Sequence, residues 1–192
     1  MIVLILGLVL FLGVHAFTMR RTSRDALVAR LGDARYKLAY TVVSGIGLVL
    51  IIYGFGLYRR TGWVDVWTPP VWTRHLALLL VWPAFVCFVA AYVPSRIRTA
   101  LKHPMLAGVK LWATAHLLAN GDLGSILLFG SFLAWAVAAR ISLKRRPGAT
   151  IPPAPASPVG DVAVIVVGTA AWFIFARWLH PMWIGVAVWP GT

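Results

Sequence analysis

The feature that most limits what this chain can fold into is a series of apolar runs, each close to the length of a bilayer crossing, with nearly all charge confined to the gaps between them. A helix rises 1.5 Å per residue, so about 20 residues cross a hydrocarbon core of about 30 Å. On that scale the runs predict six transmembrane helices over residues 2–19, 36–58, 74–92, 103–119, 123–141 and 161–179. Only helices or closed barrels satisfy every backbone polar group inside lipid. The expected fold class is therefore all-α, a polytopic membrane helix bundle forming one integral membrane domain over residues 1–192. Composition agrees, because 60% hydrophobic and 12% charged residues do not make a soluble globule.

The gaps also orient the chain. Arg20, Arg21, Arg24, Arg30, Arg35 and Lys37 lie on one side, together with Arg96, Arg98 and Lys102 and with Arg140, Lys144, Arg145 and Arg146. The other side holds only Arg59, Arg60, Arg74 and Arg177. The positive-inside bias then places the first set in the cytoplasm and both termini in the periplasm of a bacterial inner membrane. The net charge of +13 owes as much to the absence of glutamate as to the bases. Those bases are spread through loops beside an anionic leaflet, which argues for a lipid-bilayer partner and against nucleic acid. In the first run the charges follow the apolar residues, the order of an uncleaved anchor rather than a secretory signal. The single Cys87 excludes a disulfide framework and a cysteine metal site.

Within this frame residues 20–35 read as a basic connection, and Gly45, Gly47, Gly54 and Gly56 predict close packing of the second helix. Residues 59–73, with Trp63, Trp67 and Trp72, read as an interfacial segment rather than a span. Pro83 predicts a kink in the third helix. Asn120-Gly121-Asp122 reads as a tight turn that makes the fourth and fifth helices an antiparallel pair. Residues 143–160, rich in proline, read as an extended loop.

Ionisable groups are costly in such a chain, so the stretch from Lys102 to Asp122 is where function is expected. His116 shares a helix face with Trp112, with Gly108 or Val109, and with Met105. That face would accept a flat macrocycle with the imidazole as axial ligand, or would pack Gly108 and Trp112 against the fifth helix. Lys110, about two turns into a span, must snorkel, pair with an acid, or meet an anion such as a haem propionate. His15 and His116 lie further inside than His75 and His180, which read as interfacial residues. His103 and His116 stand about 140° apart around one helix, so they do not serve one site from one face.

His103-Pro104-Met105-Leu106-Ala107-Gly108, followed by Leu111-Trp112-Ala113-Thr114-Ala115-His116 and Asn120-Gly121-Asp122, resembles the hallmark of the NnrU family of membrane proteins. The likeness extends to Val14-His15, His75 and His180-Pro181, and the family includes the plant and cyanobacterial 15-cis-zeta-carotene isomerases. It implies haem b with axial histidines at the positions of His15 and His116, and a haem-dependent cis-trans isomerisation of a polyene without net redox change. The bacterial branch implies the alternative, a non-catalytic membrane accessory of nitrite and nitric oxide reduction or of respiratory complexes. Ala113 stands where the plant isomerases carry a cysteine. A more distant likeness of the His-Pro motif to isoprenylcysteine methyltransferases lacks the acidic residues that those enzymes place downstream.

Straight helices put His15 about 20 Å below the outer surface and His116 about 5 Å below it. Axial ligands of one iron must be level, so tilt, a kink at Pro104 or a deeper first helix is required. Otherwise His103 replaces one of them opposite His15.

Overall fold

Leucine, valine and isoleucine fill the runs so uniformly that every helix face is apolar, and packing is decided instead by where side chains are small. A computed structural model describes residues 1–146, 153, 155 and 158–189. Its helices fall into two units, Met1–Thr68 with Asn120–Lys144 and Pro69–Ala119 with Arg145–Thr192. Among the described residues all regular structure is helical, with one isolated β-bridge.

The first unit holds α1 (Ile2–Phe17), α2 (Arg21–Leu31), α3 (Asp33–Thr61) and α7 (Leu123–Lys144). Helices α1 and α3 run antiparallel, because Leu4 meets Gly54, Ile51 meets Gly7 and Phe11 meets Gly47 in descending register. A Cβ at Gly7 would lie 2.6 Å from the Ile51 nitrogen, and one at Gly47 would lie 2.7 Å from the Phe11 nitrogen. Only hydrogen fits at such an approach. Gly45 and Gly56 face open space instead, so only half of the expected glycine set makes the contact. Phe132 of α7 packs on Phe11, with ring centroids 5.7 Å apart.

Helix α1 stops at Phe17 because Met19 and Arg20 donate to carbonyls three residues back, at 3.0 Å each, while Thr18 Oγ1 donates to His15 O at 2.7 Å. Such bonds tighten and end a helical turn. Residues 20–35, expected as a plain connection, are mostly helical, and α2 turns 91° from α1. The segment after α3 is held by main chain rather than by lipid preference alone. Val66 N and Trp67 N donate to Gly121 O at 2.9 and 3.1 Å, and Leu123 N donates to Val64 O at 2.9 Å. Tyr58, fully buried, receives Val64 N on its hydroxyl at 3.1 Å and fills the space above Gly124. Asp122 caps α7 by accepting Ser125 N at 2.9 Å, which turns the Asn-Gly-Asp sequence into a helix start.

The second unit holds α4 (Val71–Ala90), α5 (Arg96–Leu101), α6 (Pro104–Ala119) and α8 (Val159–Ile174). Helix α8 passes through a π turn, Phe175–Leu179, into α9 (His180–Ile184). Helix α4 packs on α6 and α8 and continues through Pro83 as one helix. Gly108 of α6 lies against the Phe88 ring and Ala84 O, while Gly168 of α8 lies against Val86. Trp82 Nε1–H donates to Thr169 Oγ1 at 2.9 Å, and Asp161 Oδ1 accepts Ile97 N at 3.1 Å. The fourth and fifth sequence helices, α6 and α7, were expected to pair with each other. Instead α6 packs on α4 while α7 packs on α1 and α3, because the glycines and aromatic rings that permit contact point there.

Four described helical segments are long and apolar enough to cross a membrane: α3, α4, α7 and Val159–Ile184, or five if bent α1–α2 counts as one span. The structure does not confirm six. Helices α1 and α6 have 16 residues each, about 24 Å of rise, which falls short of a core of about 30 Å. The first is cut short by its closing turn and the second begins only at Pro104. Ile46, Val49, Ile52 and Tyr53 of α3 are exposed, a surface that suits acyl chains rather than water. Most of the proline-rich stretch 143–160 lies outside the described residues.

Candidate functional site

His15 stands one turn before the end of α1, inside a ring of aromatic side chains. Its ring centroid is 4.3 Å from Phe11, 5.3 Å from Tyr40 and 5.6 Å from Trp135, the last in an edge-on arrangement. Its Nδ1 lies 2.6 Å from the carbonyl oxygen of Phe11, four residues earlier. A carbonyl can only accept, so Nδ1 carries the hydrogen and a neutral ring has its lone pair on Nε2.

His116 has the same local construction in the second unit. Its Nδ1–H donates to Trp112 O at 2.8 Å, again four residues earlier, and the Trp112 ring lies 5.2 Å away. In both helices the carbonyl at i−4 orients the imidazole, fixes the tautomer and makes Nε2 more basic, as a backbone acceptor does for a metal-bound histidine. His180 lies close enough to His116 for their charges to interact, a neighbour that reading His180 as merely interfacial did not anticipate. The π turn before it has a local cause. Pro181 has no N–H for the carbonyl at Arg177 and its ring crowds that turn, so the helix widens there.

The other expected residues take different places. Gly108 is occupied by Phe88 and Ala84 of α4, so it neither opens a slot for a flat ring nor packs on the fifth sequence helix. Trp112 is half-buried and sits against His116. Lys110 is half-buried in α6 and makes no ion pair or hydrogen bond among the described residues. His103 precedes α6, its carbonyl accepting Ala107 N at 3.1 Å. Just before it, Lys102 adopts φ 64°, and His103 N reaches back to Leu101 O at 2.7 Å. This is a strained γ-turn, and it aims the chain into Pro104.

Tyr36, Tyr40 and Trp135 were missed in the sequence. The signal available was Tyr36, Tyr40 and Ser44, which recur every four residues along an otherwise apolar helix and therefore share one face. Trp135 gave no comparable sign, since tryptophan in a span is as common on the lipid side.

Among the described residues no three His, Cys, Asp or Glu side chains gather as a metal cluster. A metal served by these imidazoles would have to bring most of its ligands with it, as a macrocycle does. Singly presented, carbonyl-oriented imidazoles are the donor type suited to that role.

The model of the family described as NnrU protein matches residues 3–188. No curated protein and no solved structure matches the chain.

Proposed function

The chain belongs to the NnrU family, and on that premise we propose that it is a membrane protein that binds haem b through His15 and His116. Its reaction on this reading is the cis-trans isomerisation of a hydrophobic polyene, or a closely related haem-dependent step. The observation that carries the reading is the repeated construction at the two histidines, each with Nδ1–H on the carbonyl four residues back. Haem, when bound, supplies an iron centre that can weaken a conjugated double bond so that it rotates without net redox change.

The chain's own contribution is to hold the imidazoles in one tautomer and to keep their surroundings aromatic and poor in water. Phe11, Tyr40 and Trp135 do this at His15, and Trp112 does it at His116. Lys110, with no partner of its own among the described residues, is assigned to a propionate. The membrane is a bacterial inner membrane, with the basic gaps in the cytoplasm and both termini periplasmic.

Absorbance spectroscopy of the purified protein tests the reading. A Soret band that shifts on reduction and is low-spin is expected in the native protein. His116→Ala and His15→Ala should each lose haem or turn it high-spin, because alanine offers no lone pair. His75→Ala should leave the spectrum unchanged. A colourless preparation, or an unaltered low-spin spectrum in both ligand variants, overturns the assignment. The former result would leave the non-catalytic accessory of denitrification or respiratory complexes.

A further inference from the structure

Tyr36 is only 7% exposed, yet its hydroxyl has no hydrogen-bond partner among the described residues. The indole N–H of Trp135, in contact with His15, is likewise buried without one. A buried donor left unpaired costs roughly 1–3 kcal/mol, so two around a single imidazole point to acceptors that arrive with a ligand.

The register of α1 against α3 places them. The contacts of Leu4 with Gly54, Gly7 with Ile51 and Phe11 with Gly47 set His15 level with Val43. Tyr36, seven residues before Val43, then lies about 10 Å towards the end of the helix pair. At that end the Arg24 guanidinium stands over the Tyr36 ring, 5.5 Å from its centroid. Arg24 also pairs with Asp25 at 2.8 Å, but both side chains are well exposed, so that pair can be exchanged at little cost. The sequence from apolar to charged is thus His15, Tyr40, Tyr36, Arg24. A planar ligand with an acid group at its edge needs the same order.

We propose that Tyr36 Oη–H and Arg24 form a carboxylate subsite for a ligand whose ring is taken by His15, a cofactor propionate being the chemical class that fits. This rests on the haem reading above and adds the residues that recognise the acid. Tyr36 donates the buried hydrogen bond, and Arg24 supplies the charge at the edge. Trp135 offers a second donor beside the imidazole itself.

The test is titration of the purified full chain with haem b and with its dimethyl ester, followed in the Soret region. Tyr36→Phe keeps the ring beneath Arg24 and removes only the hydroxyl. Its dissociation constant for haem should rise about tenfold, the usual effect of losing a hydrogen bond to a charged group. The dimethyl ester should bind native protein and Tyr36→Phe alike, and Arg24→Gln should weaken haem but not the ester. If Tyr36→Phe and native protein bind haem equally, the subsite is wrong while the haem reading stands. If native protein binds neither form, the haem reading fails and the subsite falls with it.

Discussion

Adding one methyl group to α3 separates the two kinds of glycine in that helix. At Gly54 the new Cβ would meet main-chain atoms of Leu4 and Val3, with Leu4 Cα and Val3 C both at 2.8 Å. Ordinary contact begins at 3.4 Å. The obstacle is backbone, so no side-chain rotation relieves it, and α1 must move away by an appreciable fraction of an ångström. Overpacking of that kind costs about 1–3 kcal/mol. Alanine returns roughly 0.5–1 kcal/mol in helix preference, so Gly54→Ala should destabilise by about 1 kcal/mol net, and Gly47→Ala similarly. At Gly45 and Gly56 nothing lies within 4 Å, so the same change should be neutral or stabilising by up to about 1 kcal/mol. Reversible unfolding in mixed micelles, followed by far-ultraviolet circular dichroism, gives the four values. Displacing α1 also moves His15 relative to Tyr40, so Gly54→Ala should weaken haem binding while Gly56→Ala does not. Equal stabilities for Gly54→Ala and Gly56→Ala would show that the glycine contact does not hold α1 to α3.

Lys102→Gly relieves a positive φ that costs an L-residue about 1–2 kcal/mol, so its unfolding midpoint should rise; a fall would refute the strained turn. Asp122→Ala removes the cap of α7 but also deletes a buried carboxylate oxygen that lacks a partner among the described residues. The loss should be about 1 kcal/mol, the lower part of the usual range for a lost cap, and Asp122→Asn should recover it; thermal unfolding in detergent is the measurement. Lys110→Met should leave the protein inserted and folded but lower its haem content after gel filtration. Equal content in the two proteins would mean that the lysine only snorkels.

How much was legible follows from what hydropathy measures. It reports preference for lipid, so it found α3, α4 and α7 and the interruptions at Pro104 and Asn120–Asp122. Its limits were set by main-chain bonding, which ended α1 at Phe17 although the apolar pattern continued to Met19. Neighbour choice was not legible, because a face turned to acyl chains and a face turned to another helix have the same composition. Gly108 therefore looked like a contact for the fifth sequence helix or a slot for a macrocycle, and proves to be the seat of Phe88. His15 and His116 stood out as polar residues in apolar runs. The aromatic enclosure of His15 did not, since Phe11, Tyr40 and Trp135 come from three separate helices.

The π turn at Phe175–Leu179 makes the last helical segment rotatable by editing length alone. It carries one residue more than an α turn would hold, so His180 emerges about 100° further round the axis than an uninterrupted helix would present it. Removing a single residue from the turn swings the imidazole off its present bearing and leaves α8 in place. Over the course of descent, such a one-residue step re-aims a side chain without altering the packing of the helix that carries it.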